Sequence, residues 1–89
     1  MTKRNGHFEI RRVRTDSHDH FMCADYEWTV VDLRTGTCLA SFDETFEGTM
    51  SGVEEIVFTA GGGEIVVTDY DGSVSRHSLE ELVQASRPS

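Results

Sequence analysis

Tyr26-Glu27-Trp28-Thr29-Val30-Val31-Asp32-Leu33 runs through Arg34-Thr35-Gly36 into Thr37-Cys38-Leu39-Ala40-Ser41-Phe42. Apolar and polar residues alternate with a period of two on both sides of a short segment ending in Gly. That is the pattern of a β-hairpin whose last loop residue takes the left-handed conformation. If Leu33 pairs with Thr37, Val30 faces Ala40 and Trp28 faces Phe42. Tyr26, Trp28, Val30, Cys38, Ala40 and Phe42 then share one face, which is the predicted core face. The Trp28 and Phe42 pair adds about 0.2–1 kcal/mol over an Ala pair. This register sets Cys38 opposite Asp32 and leaves Cys23 about 30 Å farther along at about 3.3 Å per residue, beyond disulfide reach.

The same alternation extends outward from the hairpin. Residues 7–14 read as a first strand, with Phe8 and Ile10 on one face and Glu9, Arg11 and Val13 on the other. Residues 53–60, 64–70 and 73–78 read as three more strands, joined by Gly61-Gly62-Gly63 and by Asp71-Gly72, an Asp-Gly pair between alternating runs being a strong hairpin signal. Two-residue turns at both places gather Ile56, Phe58, Ile65, Val67 and Val74 on one face. Residues 43–52 hold two glycines and three acids without clear periodicity and read as a flexible acidic loop. Ser78 and Glu81 have capping-box spacing, so residues 79–86 are predicted to form a short helix and residues 87–89 a frayed tail. The expected fold is mainly β, with α+β as the neighbouring class. It is a single antiparallel sheet or small open barrel of five to six strands built from consecutive hairpins, with a short C-terminal helix.

A chain of 89 residues is expected to form one domain. Its composition, 37% hydrophobic and 27% charged, is that of a globular protein and not of a disordered one. No apolar run approaches the ~18 residues of a membrane span and the N-terminus lacks a signal-peptide core, so the expected address is the cytoplasm. Two cysteines, Cys23 and Cys38, are too few for the disulfide framework of a small secreted domain. Trp28 stands four residues before Asp32 and no repeat period is visible, which excludes a WD-repeat propeller blade.

Chemical motifs are few. His18 and His20, with Asp16, Asp19 and Cys23 nearby, are the one tight set of potential metal ligands, but the paired second cluster of a structural zinc site is missing. Asp69-Tyr70-Asp71-Gly72 resembles the middle of a calcium loop, yet aligning Gly72 to the required glycine puts Val67 at the first ligand position and Ser78 where a bidentate Glu is needed. Gly61-Gly62-Gly63 has no Lys or Arg beside it, unlike a phosphate cradle. No nucleophile motif is present. The expectation is no catalytic activity, no cofactor and no resident metal.

Charge says more. Residues 1–14 hold Lys3, Arg4, Arg11, Arg12 and Arg14 against Glu9, whereas residues 15–89 hold three arginines against fifteen acids, for a net charge of −8. An acidic body repels phosphate backbones, so direct nucleic-acid binding is not expected, nor is a membrane partner. The expected function is a non-catalytic protein-interaction module whose acidic surface engages a basic partner protein. One version is a nucleic-acid-mimicking inhibitor such as a phage anti-defence protein. The candidate partner-binding residues are Asp43, Glu44, Glu47, Glu54 and Glu55, which gather in sequence around residues 43–52. The alternative is a small metal- or ligand-binding protein using His18 and His20. Arg11, Arg12 and Arg14 on the first strand discourage open-ended edge pairing, so a monomer or closed homodimer is expected.

Overall fold

Seven strands and one helix follow each other in the computed structural model, which describes residues 2–15 and 23–86. They are β1 (Thr2–Asn5), β2 (Phe8–Arg14), β3 (Cys23–Asp32), β4 (Thr37–Glu47), β5 (Met50–Phe58), β6 (Glu64–Asp69), β7 (Val74–Ser78) and α1 (Leu79–Ser86). Each strand pairs antiparallel with the next, giving one open sheet in the order β1-β2-β3-β4-β5-β6-β7. The hairpin-built, mainly β class with a C-terminal helix is as expected. The additional strand is β1. Gly6, with φ 60°, and His7 form a two-residue turn that pairs Asn5 with Phe8, so β2 is flanked on both sides from Phe8 to Arg11. Arg11 is therefore paired with Thr2, whereas among the described residues Arg12 and Arg14 lie past the β1 pairs and have a neighbour on the β3 side only.

The central hairpin pairs Trp28 with Phe42 and Val30 with Ala40, as its alternation dictates. Closer to the turn the register shifts. Asp32 pairs with Thr37 and Val31 with Cys38, so Leu39 is the extra residue of a bulge and the loop covers residues 33–36. The longer loop and the bulge cancel, which is why the outer pairs keep their places. Cys38 consequently opposes Val31 instead of Asp32 and is exposed, while Leu39 packs against the core.

Residues 43–52, expected as a loop, are instead the end of β4 and the start of β5, joined by a tight turn at Gly48 and Thr49. β5 then serves two neighbours. Its first part pairs with β4 (Glu44 with Gly52, Thr45 with Ser51, Phe46 with Met50), and its second pairs with β6, with a register shift that leaves Glu54 over between Val53 and Glu55. A glycine at positive φ and a bulge in succession bend the strand, and strands that change layer do so at such bends. The bend lays β5, β6 and β7 over the inner face of β2, β3 and β4. Ile10, Trp28 and Val30 from one layer meet Val53, Ile56, Ile65 and Val67 from the other, with Leu79 of α1 closing the end of the core. Phe42 and His77 meet in a tilted arrangement with ring centroids 5.9 Å apart. Lys3 Nζ donates to the Ile56 carbonyl at 3.2 Å and pairs with Glu55 at 3.1 Å, tying β1 to the second half of β5.

Turn parity decides which residues of the second layer point inward. Residues 60–63 separate Thr59 from Glu64, whose N–H···O contact is 2.9 Å, and this even-numbered loop keeps Ile56 opposite Val67 and Phe58 opposite Ile65. At the next turn Asp69 N bonds Ser73 O at 2.9 Å, leaving Tyr70, Asp71 and Gly72 as a three-residue loop. The odd count flips β7. Val74, expected on the core face, lies opposite Thr68 and is 62% exposed, and His77 takes the inward place opposite Ile65. The helix begins where its cap predicts, with Ser78 Oγ accepting the Glu81 N–H at 3.3 Å.

Candidate interaction surface

Alternation on β3 and β4 sends successive side chains to opposite faces, and the pairs Glu27 with Asp43 and Asp25 with Thr45 fall on the face away from the core. Cys23 opposite Glu47 continues that row. Asp25, Glu27, Asp43 and Glu47 are all exposed. Residues two apart along a strand lie about 6.6 Å apart and those on adjacent strands about 4.8 Å, so four acids share a surface held by two paired backbones. Val13, opposite Glu27 on β2, is also exposed and gives the acidic row an apolar flank.

Only part of the sequence-derived acidic set belongs to that surface. Asp43 and Glu47 do. Glu55 lies beyond the bend of β5 beside Lys3, and Glu54 is the exposed bulge residue between the two registers. Glu44 is 1% exposed on the inner face and is not part of any patch. Asp25 and Glu27 were absent from that set although they alternate with Tyr26 and Trp28, the signal that places them outward.

Glu44 is the hub of a buried polar cluster. Its Oε1 accepts from Arg12 Nε at 2.7 Å and from the Trp28 indole N–H at 2.8 Å, and its Oε2 accepts from Arg12 Nη2 at 3.1 Å and from the Tyr70 hydroxyl. The Arg12 guanidinium also stacks on Tyr26, 3.7 Å from the ring centroid. Burial pushes the Glu44 carboxyl up, but the hydrogen bonds from Arg12, Tyr70 and Trp28 outweigh it and hold the group below its ordinary value. A carboxylate saturated by four donors has no lone pair left to take a proton from a substrate, so this cluster braces the bend and does not act as a general base.

Tyr70 shows the other side of that arrangement. Burial, and then the adjoining Glu44 carboxylate, push its phenol up to about 12. A phenol raised above its unfolded value of about 10 contributes stability that is complete below pH ~10 and is lost as pH rises through the folded value. Absorbance titration at 295 nm is expected to show one tyrosine ionising only near pH 12, and Tyr70→Phe to remove that late step. A late step that persists in Tyr70→Phe assigns it to Tyr26 and overturns the account.

The remaining motifs are structural or lie elsewhere. Asp71 Oδ1 accepts from Ser73 N at 2.8 Å and Ser73 Oγ at 2.7 Å, which closes the turn and lowers the Asp71 carboxyl. His18 and His20 lie outside the described residues. Among the described residues no group of three or more His, Cys, Asp or Glu side chains is placed to hold a metal, and no helix is long and apolar enough to cross a membrane. No family model, curated protein or solved structure matches the chain, so the functional reading rests on its own residues.

Proposed function

We propose that this chain is a non-catalytic protein-interaction module that engages a basic partner protein through the outer face of β3 and β4. The observation that carries the reading is the row of exposed carboxylates from Asp25, Glu27, Asp43 and Glu47 on two paired strands. Such a row attracts a basic surface from a distance and loses little backbone freedom on docking, because the sheet already holds the backbone. A nucleic-acid-mimicking inhibitor, as in phage anti-defence, is one form of this function. In that form the partner is itself a DNA- or RNA-binding protein and duplex competes for it.

A pull-down from the native host at low and high salt, with Glu27→Gln/Asp43→Asn/Glu47→Gln alongside, tests the proposal. The variant is expected to fold with the stability of the parent, since exposed charges contribute about 0–1 kcal/mol per pair, and to recover much less partner. Raising salt from 0.1 to 1 M shortens the Debye length from ~10 to ~3 Å and is expected to release the partner from the parent chain. Equal recovery by both proteins at both salts leaves the acidic row as solvated surface only.

A further inference from the structure

The Asp32 end of β3 carries a feature that the acidic face does not use. A cleft of about 360 Å³ opens there, bordered by Phe8, Arg34, Gly63, Leu79, Glu80 and Val83. Its volume falls within the ~300–1,000 Å³ of small-molecule pockets. Phe8, Leu79 and Val83 make its lining mainly apolar. Arg34 brings the positive charge, and its placement is fixed from behind: Nε and Nη2 donate to Asp32 Oδ1 and Oδ2 at 3.2 and 3.1 Å, and Asp32 Oδ1 also accepts the Arg34 backbone N–H at 3.0 Å. Asp32 is 3% exposed, so the carboxylate half of the clamp is buried while Arg34 reaches solvent. The guanidinium carbon lies 5.9 Å over the Phe8 ring.

This clamp leaves one nitrogen unused. Among the described residues Arg34 Nη1 donates to no group, nor does the Gly63 N–H, while the Gly63 carbonyl takes the Leu79 N–H at 3.0 Å. An arginine oriented by a buried carboxylate, presenting free donors beside an apolar wall, is preorganised for an anion with a hydrocarbon body. We propose that this cleft binds a small carboxylate with an apolar tail, its oxygens on the Nη1 edge of Arg34 and its tail against Phe8, Leu79 and Val83. The exposed Glu80 carboxylate on the rim and the net charge of −8 favour a singly charged ligand over a phosphate dianion.

The test titrates octanoate, octylammonium and 1-octanol into the ¹⁵N-labelled protein and follows the amides of Gly63, Leu79 and Val83. Octanoate is expected to give saturable shifts there, and the other two tails to bind about tenfold or more weakly for want of the charge-assisted hydrogen bond. Glu80→Gln is expected to tighten octanoate about two- to threefold by removing a like charge. Arg34→Gln is expected to abolish the preference for octanoate. Because that change also leaves buried Asp32 without its cation, Gly63→Leu serves as the second variant. A Cβ at Gly63 meets nothing within 4 Å and Gly63 borders the cleft, so the larger side chain is expected to leave the fold intact and to weaken octanoate binding. Absence of saturable shifts, equal binding of all three tails, or unchanged binding in Gly63→Leu overturns the assignment.

Discussion

Glu44→Ala is expected to destabilise the chain by about 3 kcal/mol, at the lower end of the ~3–5 kcal/mol that follows from removing one partner of a buried ion pair. The lower end applies because 28% of the Arg12 side chain stays in contact with solvent and water can hydrate the charge left behind. The Trp28 indole N–H, on a side chain 1% exposed, has no such recourse once its acceptor is gone. Glu44→Gln keeps the shape and one acceptor but turns an N–H₂ group toward donors, so its cost should be intermediate. Arg12→Met combined with Glu44→Leu should be less damaging than Glu44→Ala alone, since no unpaired charge remains. Urea unfolding at pH 7 followed by Trp28 fluorescence measures all three. A loss below about 1 kcal/mol for Glu44→Ala shows that the cluster is not the brace described. The parent should also carry an acid dependence that Glu44→Gln lacks. A carboxyl held below its unfolded value contributes stability that is present above pH ~4.5 and is lost as pH falls through the folded value.

The burial of Glu44 was legible in the sequence, one step beyond where the hairpin was read. Pairing Trp28 with Phe42 puts the even-numbered residues of β4 from Ala40 onward on the core face, and residue 44 follows by parity, opposite Tyr26. The acidic composition of residues 43–52 masked that parity, because three acids and two glycines read as a loop by local propensity while tertiary pairing makes strands of them. Asp25 and Glu27 follow from the same rule and define the acidic face with Asp43 and Glu47. Val74 was misplaced for a different reason. Asp71-Gly72 announces a turn, but nothing local distinguishes a two-residue loop from the three-residue loop that starts at Tyr70, and one residue reverses a whole strand. Tyr70 leaves the ladder to reach Glu44, across the bend of β5, and such long-range contacts have no short-range signature.

The bend itself depends on Gly52, and Gly52→Ala is expected to cost about 2–5 kcal/mol. Two separable terms make up that figure. The first is conformational: Gly52 has φ +84°, where a Cβ costs about 1–2 kcal/mol. The second is contact: a Cβ there would lie 2.2 Å from the Asp43 carbonyl oxygen and 3.3 Å from the Glu44 Cα, both backbone atoms that can move only by separating β4 from β5. Separation strains the neighbouring cluster as well, because the Gly52 carbonyl accepts the Tyr70 N–H at 3.0 Å and Tyr70 in turn reaches Glu44. Gly48 isolates the first term, since it has φ +76° but a Cβ added to it meets nothing within 4 Å. Gly48→Ala is therefore expected to lose only about 1–2 kcal/mol, and Gly61→Ala, with neither positive φ nor a neighbour, to change stability by less than about 1 kcal/mol. Parallel urea melts of the three alanine variants give the ordering directly. If Gly52→Ala is no worse than Gly48→Ala, the close approach of β4 and β5 is not what holds the two layers together, and the bend must be set by the Glu54 bulge instead.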